Sequence, residues 1–122
     1  MKKSIALVSA LLVLVVVFGG ISALACEGRS RNVEVACWKT FGTYQYAKAT
    51  QSAACDGRHS VTLKTELRLM YTTGAYSPWA SGTSSKQLQV PDGKVGASAH
   101  GRFNAKCTGN YTFPERTATD KW

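Results

Sequence analysis

Metal-ligand spacing is absent from this chain. Its four cysteines and two histidines include no Cys-x-x-Cys or His-x-x-x-His pair. No two ligands are therefore held together by a single turn, and neither a metal nor any other cofactor is expected. Apart from Lys2-Lys3, no two basic residues are adjacent, which leaves no basic helix or arginine-rich tract. A dedicated nucleic-acid reader concentrates its charge on one face, so specific nucleic-acid binding is not expected. No Gly-x-Ser-x-Gly elbow occurs, and a hydrolase of that type is disfavoured. Beyond residue 25, no segment carries apolar residues at helical spacing for long enough to form a stable helix.

The N-terminus has a different character. Lys2 and Lys3 form a positive start, and Ile5 to Phe18 is almost purely apolar. Gly19-Gly20 then breaks the run, and Ala23-Leu24-Ala25 offers small residues where a signal peptidase reads. Residues 1–25 are thus expected to be a secretory signal, and the protein to be secreted. A retained membrane anchor is the weaker alternative, although Ser4 to Ala25 carries no charge and is about long enough to span. Cys26 then becomes the first residue of the mature chain. Lipoprotein signals also place a cysteine there, but with Leu, Val or Ile three residues earlier, where this chain has Ala23. Lipid anchoring at the cell surface through Cys26 is the minor reading, and no transmembrane helix is expected after cleavage.

Residues 26–122 suit a single domain and a monomer. A domain of this size buries only about two-thirds of the surface its unfolded chain exposes, so cross-links would help it. Cys26, Cys37, Cys55 and Cys107 remain, and an exported chain meets an oxidising compartment. Two bridges are expected, with three pairings open. The mature chain carries 13 Lys+Arg against 7 Asp+Glu, a net +6 that draws it toward anionic surfaces.

The clearest periodicity runs from Ser60 to Tyr71. Val61, Leu63, Thr65, Leu67, Leu69 and Tyr71 fall on one face; Thr62, Lys64, Glu66, Arg68 and Met70 fall on the other. Alternation of this kind specifies a half-buried strand. Val33–Trp38, Thr43–Lys48 and Lys86–Val90 alternate too, the last stopped by Pro91-Asp92-Gly93. Lys94–His100 is expected to present Val95, Ala97 and Ala99 on one face. The tail from Gly101 adds Phe103, Ala105 and Cys107, then Tyr111 and Phe113 after a turn. Six or seven short strands with frequent turn signals predict an all-β fold, a small antiparallel β-sandwich, Ig-like or a small barrel.

Cys55-Asp56-Gly57, Val61-Thr62-Leu63 with its alternating continuation, Trp79, and Cys107-Thr108-Gly109-Asn110-Tyr111 together resemble small exported β-domains common in actinobacteria. The likeness covers roughly residues 53–119. It implies a Cys55–Cys107 bridge and a sandwich fold, and it implies little about function.

Candidate chemistry is sparse. His59 and His100, with Arg58 or Arg102, invite comparison with small ribonucleases, in which two histidines exchange protons with the 2′-hydroxyl and the leaving oxygen. Each histidine also sits beside a glycine and an arginine, as ordinary surface residues do. A Asp56-His59-Ser60 triad fails because neighbouring strand residues point to opposite faces. Glu66, between Lys64 and Arg68 on the outward face, reads as one member of a charge ladder. Tyr76 and Trp79 lie in a loop, where aromatics can stack on sugars or anchor a partner; the alternative is that Trp79 plugs the sandwich end. Trp122, the last residue, is expected to be exposed and disordered.

The expectation is a non-enzymatic exported sandwich that binds a cell-surface or extracellular partner through Arg58, His59, Tyr76 and Trp79. A secreted antimicrobial toxin or protease inhibitor is the alternative reading, with the ribonuclease behind it.

Overall fold

The structure, a computed structural model, describes residues 29–57, 59–109 and 111–122. The expected signal segment, Cys26, Arg58 and Asn110 lie outside the described residues. The body that carries the fold runs from Arg31 to Trp122. It is all-β: β1 (Ser30–Lys39), β2 (Gln45–Ala54), β3 (Val61–Tyr71), β4 (Ala80–Gly82), β5 (Ser85–Gln89), β6 (Gly96–Cys107) and β7 (Thr112–Lys121). Two sheets form, one in the order β1-β2-β5 and the other β4-β3-β6-β7, with antiparallel pairing between β2 and β5 and throughout the second sheet. Among the described residues no helix is long and apolar enough to cross a membrane.

β3 follows its alternation. Thr65, Leu67, Leu69 and Tyr71 are buried between the sheets. The expected face of Lys94–His100 is corrected in one respect. β6 runs unbroken from Gly96, and Val95 lies outside it, exposed. The register shifts at Met70/Tyr71, so that Ala99 opposes Leu69 and Gly96 opposes Tyr71. This irregularity takes up Ala97, a residue that strict alternation would place in the core.

The apolar interior falls into two clusters. One holds Val35, Ala47, Ala49, Leu67, Leu69, Tyr71, Val90, Ala99 and Phe103; the other holds Ala105, Cys107 and Phe113, with Cys55, Leu63 and Tyr111 against them. A polar layer lies between them. The buried Gln51 amide donates to the Lys64 and Asn104 carbonyls and to Thr65 Oγ1 at 3.2–3.3 Å. Arg31 Nε donates to Gln51 Oε1 at 3.0 Å, and its terminal nitrogens donate to the carbonyls of Phe103 and Pro114. Those carbonyls flank the register shift between β6 and β7, where ladder partners are lost. Buried polar groups need such partners, and here one glutamine and one arginine supply them.

The bridge Cys55–Cys107, with Cα atoms 6.0 Å apart, ties the end of β2 to the end of β6 and so pins one sheet to the other. Cys37 was expected to be bridged as well. It has no bridge to another described cysteine, and Cys26, the cysteine left to pair with it, lies outside the described residues. Burial, with Asp120 nearby, pushes the Cys37 thiol up to about 11, so it stays protonated and unreactive at neutral pH.

Trp122 overturns the expectation of a disordered end. Its ring is half-buried against the first cluster, and its Nε1 donates to the carbonyls of Trp38 and Tyr46 at 3.0 and 3.1 Å. The space for it comes from Gly96, where a Cβ would lie 2.6 Å from the indole. Asp120 adds a second tie on this side by accepting the Cys37 N–H at 2.8 Å.

Candidate anion-binding surface

Strand alternation sets what the outer face of the four-stranded sheet presents. Directly opposed residues share a face. Glu66 opposes Arg102, Arg68 opposes His100, Thr62 opposes Lys106, and Lys121 opposes Ser98. Lys64, Arg68, Arg102, Lys106 and Lys121 are therefore gathered on one surface, although none is adjacent to another in sequence. The charges look scattered along the chain because a strand groups residues two apart.

The segment between β3 and β4 folds across this face. Gly74, at φ +91°, lets the chain reverse after Tyr71, and Tyr76 then bridges back to Met70. Ser77 exchanges hydrogen bonds with Leu69: the Ser77 N–H donates to the Leu69 carbonyl, and the Leu69 N–H donates to Ser77 Oγ. Ala80 and Ser81 oppose Leu67 and Glu66, which leaves Trp79 on the outer side. Its indole lies over two guanidinium groups, 4.6 Å from that of Arg68 and 4.2 Å from that of Arg102. Tyr76 stands over Arg68 at 4.0 Å, with its ring edge toward His100. Trp79 is thus neither a plug in the sandwich end nor freely exposed. It is one rung of a ladder of arginines and rings, each contact contributing about 0.5–2 kcal/mol.

Glu66 is the buried acid of this face, with a second carboxylate, Glu115, near Arg102. It is only 6% exposed, and its carboxylate takes a bidentate pair from Arg102 at 2.8 and 3.1 Å, with Lys64 at 3.9 Å. The hydrogen bonds from Arg102 hold its pKa below the ordinary value against the opposing effect of burial. Its partner is the cross-strand Arg102 and not its sequence neighbour Arg68. Arg68 itself makes no hydrogen bond or ion pair with any described residue, and its Nε is buried without a partner.

His100 sits among Arg68, Tyr76 and Ser98, with Ser98 Oγ 3.0 Å from Nε2. Burial and then the Arg68 charge lower its pKa below 6.5. The unfolded chain therefore binds this proton at higher pH than the folded one does, and acidification through 6.5 favours unfolding. The expected outcome is a lower denaturation midpoint at about pH 5.5 than at about pH 7.5, with the difference reduced in His100→Gln. Urea titrations of both proteins at both pH values measure it, and an equal slope in the variant contradicts it.

His59 lies elsewhere. It precedes β3 in the turn closed by its N–H bonding the Asp56 carbonyl, and its Nδ1 is 2.8 Å from Asp56 Oδ1. The far edge of the ring rests on Gly109, where a Cβ would meet Nε2 at 2.6 Å. The nitrogen that a nucleophile needs is thus against the backbone of the 108–109 turn. His100 opposes Arg68, so the two histidines are separated by about 30 Å of strand. They do not converge on one phosphate. Of the four residues expected to bind, Tyr76 and Trp79 are brought together, His59 stands apart, and Arg58 is outside the described residues. Arg68, Arg102, Glu66 and Lys106 complete the surface.

The opposite sheet carries a groove of about 420 Å³ lined by Val33, Glu34, Lys48, Thr50 and Ser85. Its charges are mixed, and Trp38 and Tyr46 stack on each other at 5.7 Å. No protein family, curated protein or solved structure matches this chain.

Proposed function

We propose that the protein is an exported, non-enzymatic binding module that holds an anionic polysaccharide of a cell surface or extracellular layer. One observation carries this reading: Lys64, Arg68, Arg102, Lys106 and Lys121 share the outer face of the β4-β3-β6-β7 sheet, and Glu66 is already neutralised by Arg102. A face with an excess of positive charge concentrates a polyanion through long-range attraction. The secretion-type N-terminus and the Cys55–Cys107 bridge fit a protein that works outside the cell. A polysaccharide suits the face better than a nucleic acid, because Trp79 already has guanidinium groups against it and offers little free ring to a base.

Retention on polygalacturonate and dextran sulfate beads tests the reading. The protein is expected to bind at low salt and elute as salt rises, because exposed charges are screened. The double variant Lys64→Glu/Lys106→Glu is expected to bind about tenfold more weakly, a change of about 1.4 kcal/mol. Binding that ignores both salt and these reversals would sink the proposal.

A further inference from the structure

The face holds two arginines in nearly the same setting, and only one of them is satisfied. Both guanidinium groups lie against the Trp79 indole, at 4.2 and 4.6 Å. Arg102 has its fork filled by the Glu66 carboxylate. Arg68 has no carboxylate partner among the described residues, and its buried Nε is unbonded. A guanidinium is always charged at physiological pH, and a charged donor left without an acceptor is costly. The buried Nε is closed to any ligand, so an acceptor from outside reaches Arg68 only at its two terminal nitrogens.

We propose that Arg68 is a receptor for one carboxylate of an acidic glycan, which its two terminal guanidinium nitrogens take end-on. This inference rests on the binding reading above and adds a specific contact to it. The rings of Trp79 and Tyr76 hold the Arg68 guanidinium plane in place, and a planar two-oxygen group is the acceptor that matches a fixed fork. Arg68 therefore selects for shape as well as charge. Tyr76 is 48% exposed beside it, and the ring face turned away from Arg68 offers a surface for the apolar face of a sugar. Lys64, Lys106 and Lys121 around the site favour a polymer with repeated carboxylates over a single small acid. The geometry favours a glycan over an acidic peptide because an aromatic ring and an unfilled fork adjoin. His100 and Ser98 complete the rim on the β6 side.

Calorimetric titration of the whole protein with a galacturonate oligomer, polyglutamate and polyphosphate tests the site. The variants are Arg68→Lys, which keeps the charge and removes the fork, and Arg68→Gln, with thermal denaturation to show that each is folded. Wild type is expected to bind the galacturonate oligomer, and Arg68→Lys to weaken that binding about tenfold or more. The same variant is expected to weaken polyphosphate binding less than galacturonate binding, because the lysines of the face hold so densely charged a polymer mainly by charge. Galacturonate binding unchanged by Arg68→Lys overturns the receptor while leaving the polyanion reading intact. Polyglutamate binding as tight and as Arg68-dependent overturns the glycan in favour of an acidic peptide. Should wild type bind none of the three, both readings fall. If Arg68→Lys does not fold, Tyr76→Ala takes its place and is expected to weaken galacturonate binding selectively; equal loss for polyphosphate counts against the site.

Discussion

Replacing Phe103 by Ala is expected to destabilise the fold by about 3–5 kcal/mol, the range for deleting a large ring from a close-packed interior. Phe103 is fully buried and is the largest side chain that is. Its ring rests on Gly101, where an added Cβ would lie 2.7 Å from it, and that Cβ would also lie 2.6 Å from Val35. Ring and glycine are thus complementary. The same cluster holds Ala47, Ala49 and Ala99, short side chains that cannot swing in to fill a hole. A domain of this size has only about 5–15 kcal/mol to lose, so the variant is expected to be marginal at 37 °C. Urea denaturation followed by near-ultraviolet circular dichroism measures the loss. A change below about 1 kcal/mol would show that the ring does not occupy the centre of the first cluster.

The second large effect is expected from opening the Cys55–Cys107 bridge. The two residues are 52 positions apart, and closing a loop of that length restricts the unfolded chain by about 4 kcal/mol in the chain-entropy model. The double variant Cys55→Ser/Cys107→Ser is expected to lose this amount and to become insensitive to reductant. Wild type treated with dithiothreitol should fall to the same midpoint. A wild-type midpoint that reductant does not move would mean that the bridge is not formed in solution. Burial raises the Cys37 pKa, which slows exchange of its thiol with the bridge.

Much of this architecture is legible in the sequence, and the reasons differ by element. β3 is legible because its alternation is unbroken over Val61–Tyr71 and agrees with burial everywhere but at Glu66, which Arg102 covers. β6 is only partly so, because the shift opposite Met70/Tyr71 changes which residues face inward, and periodicity holds no signal for an inserted residue. Trp122 is misread for a different reason. Its acceptors, the carbonyls of Trp38 and Tyr46, lie 84 and 76 residues earlier, and backbone acceptors leave no mark in a sequence.

The candidate surface divides in the same way. Tyr76 and Trp79 stand out as loop aromatics from composition alone. The pairing of Glu66 with Arg102 depends on β3 lying beside β6 in one register, a fact of 36 residues' separation. Searching for adjacent basic residues also misses the charged face, since the relevant spacing is four along each strand and one strand across. A search with the strand period in both directions would have found Lys64, Arg68, Arg102 and Lys106 together.

The polar layer across the interior has a further consequence, which concerns alignment. The inward side of β2 reads Gln45, Ala47, Ala49, Gln51, Ala53, so it presents mostly methyl groups to the facing sheet. Methyl groups are interchangeable, and such a strand could slide by two residues at small loss of apolar contact. Gln51 removes that degeneracy. Only in the observed frame does its amide meet the Lys64 and Asn104 carbonyls and the Arg31 guanidinium; one step away it would face leucine and leave them bare. Each bare group costs about 1–3 kcal/mol, more than the methyl stripe could regain. Gln51, together with Gln45, whose amide exchanges hydrogen bonds with the Gly96 backbone at 2.8 and 3.1 Å, thus acts as the tooth that indexes a strand otherwise free to slip.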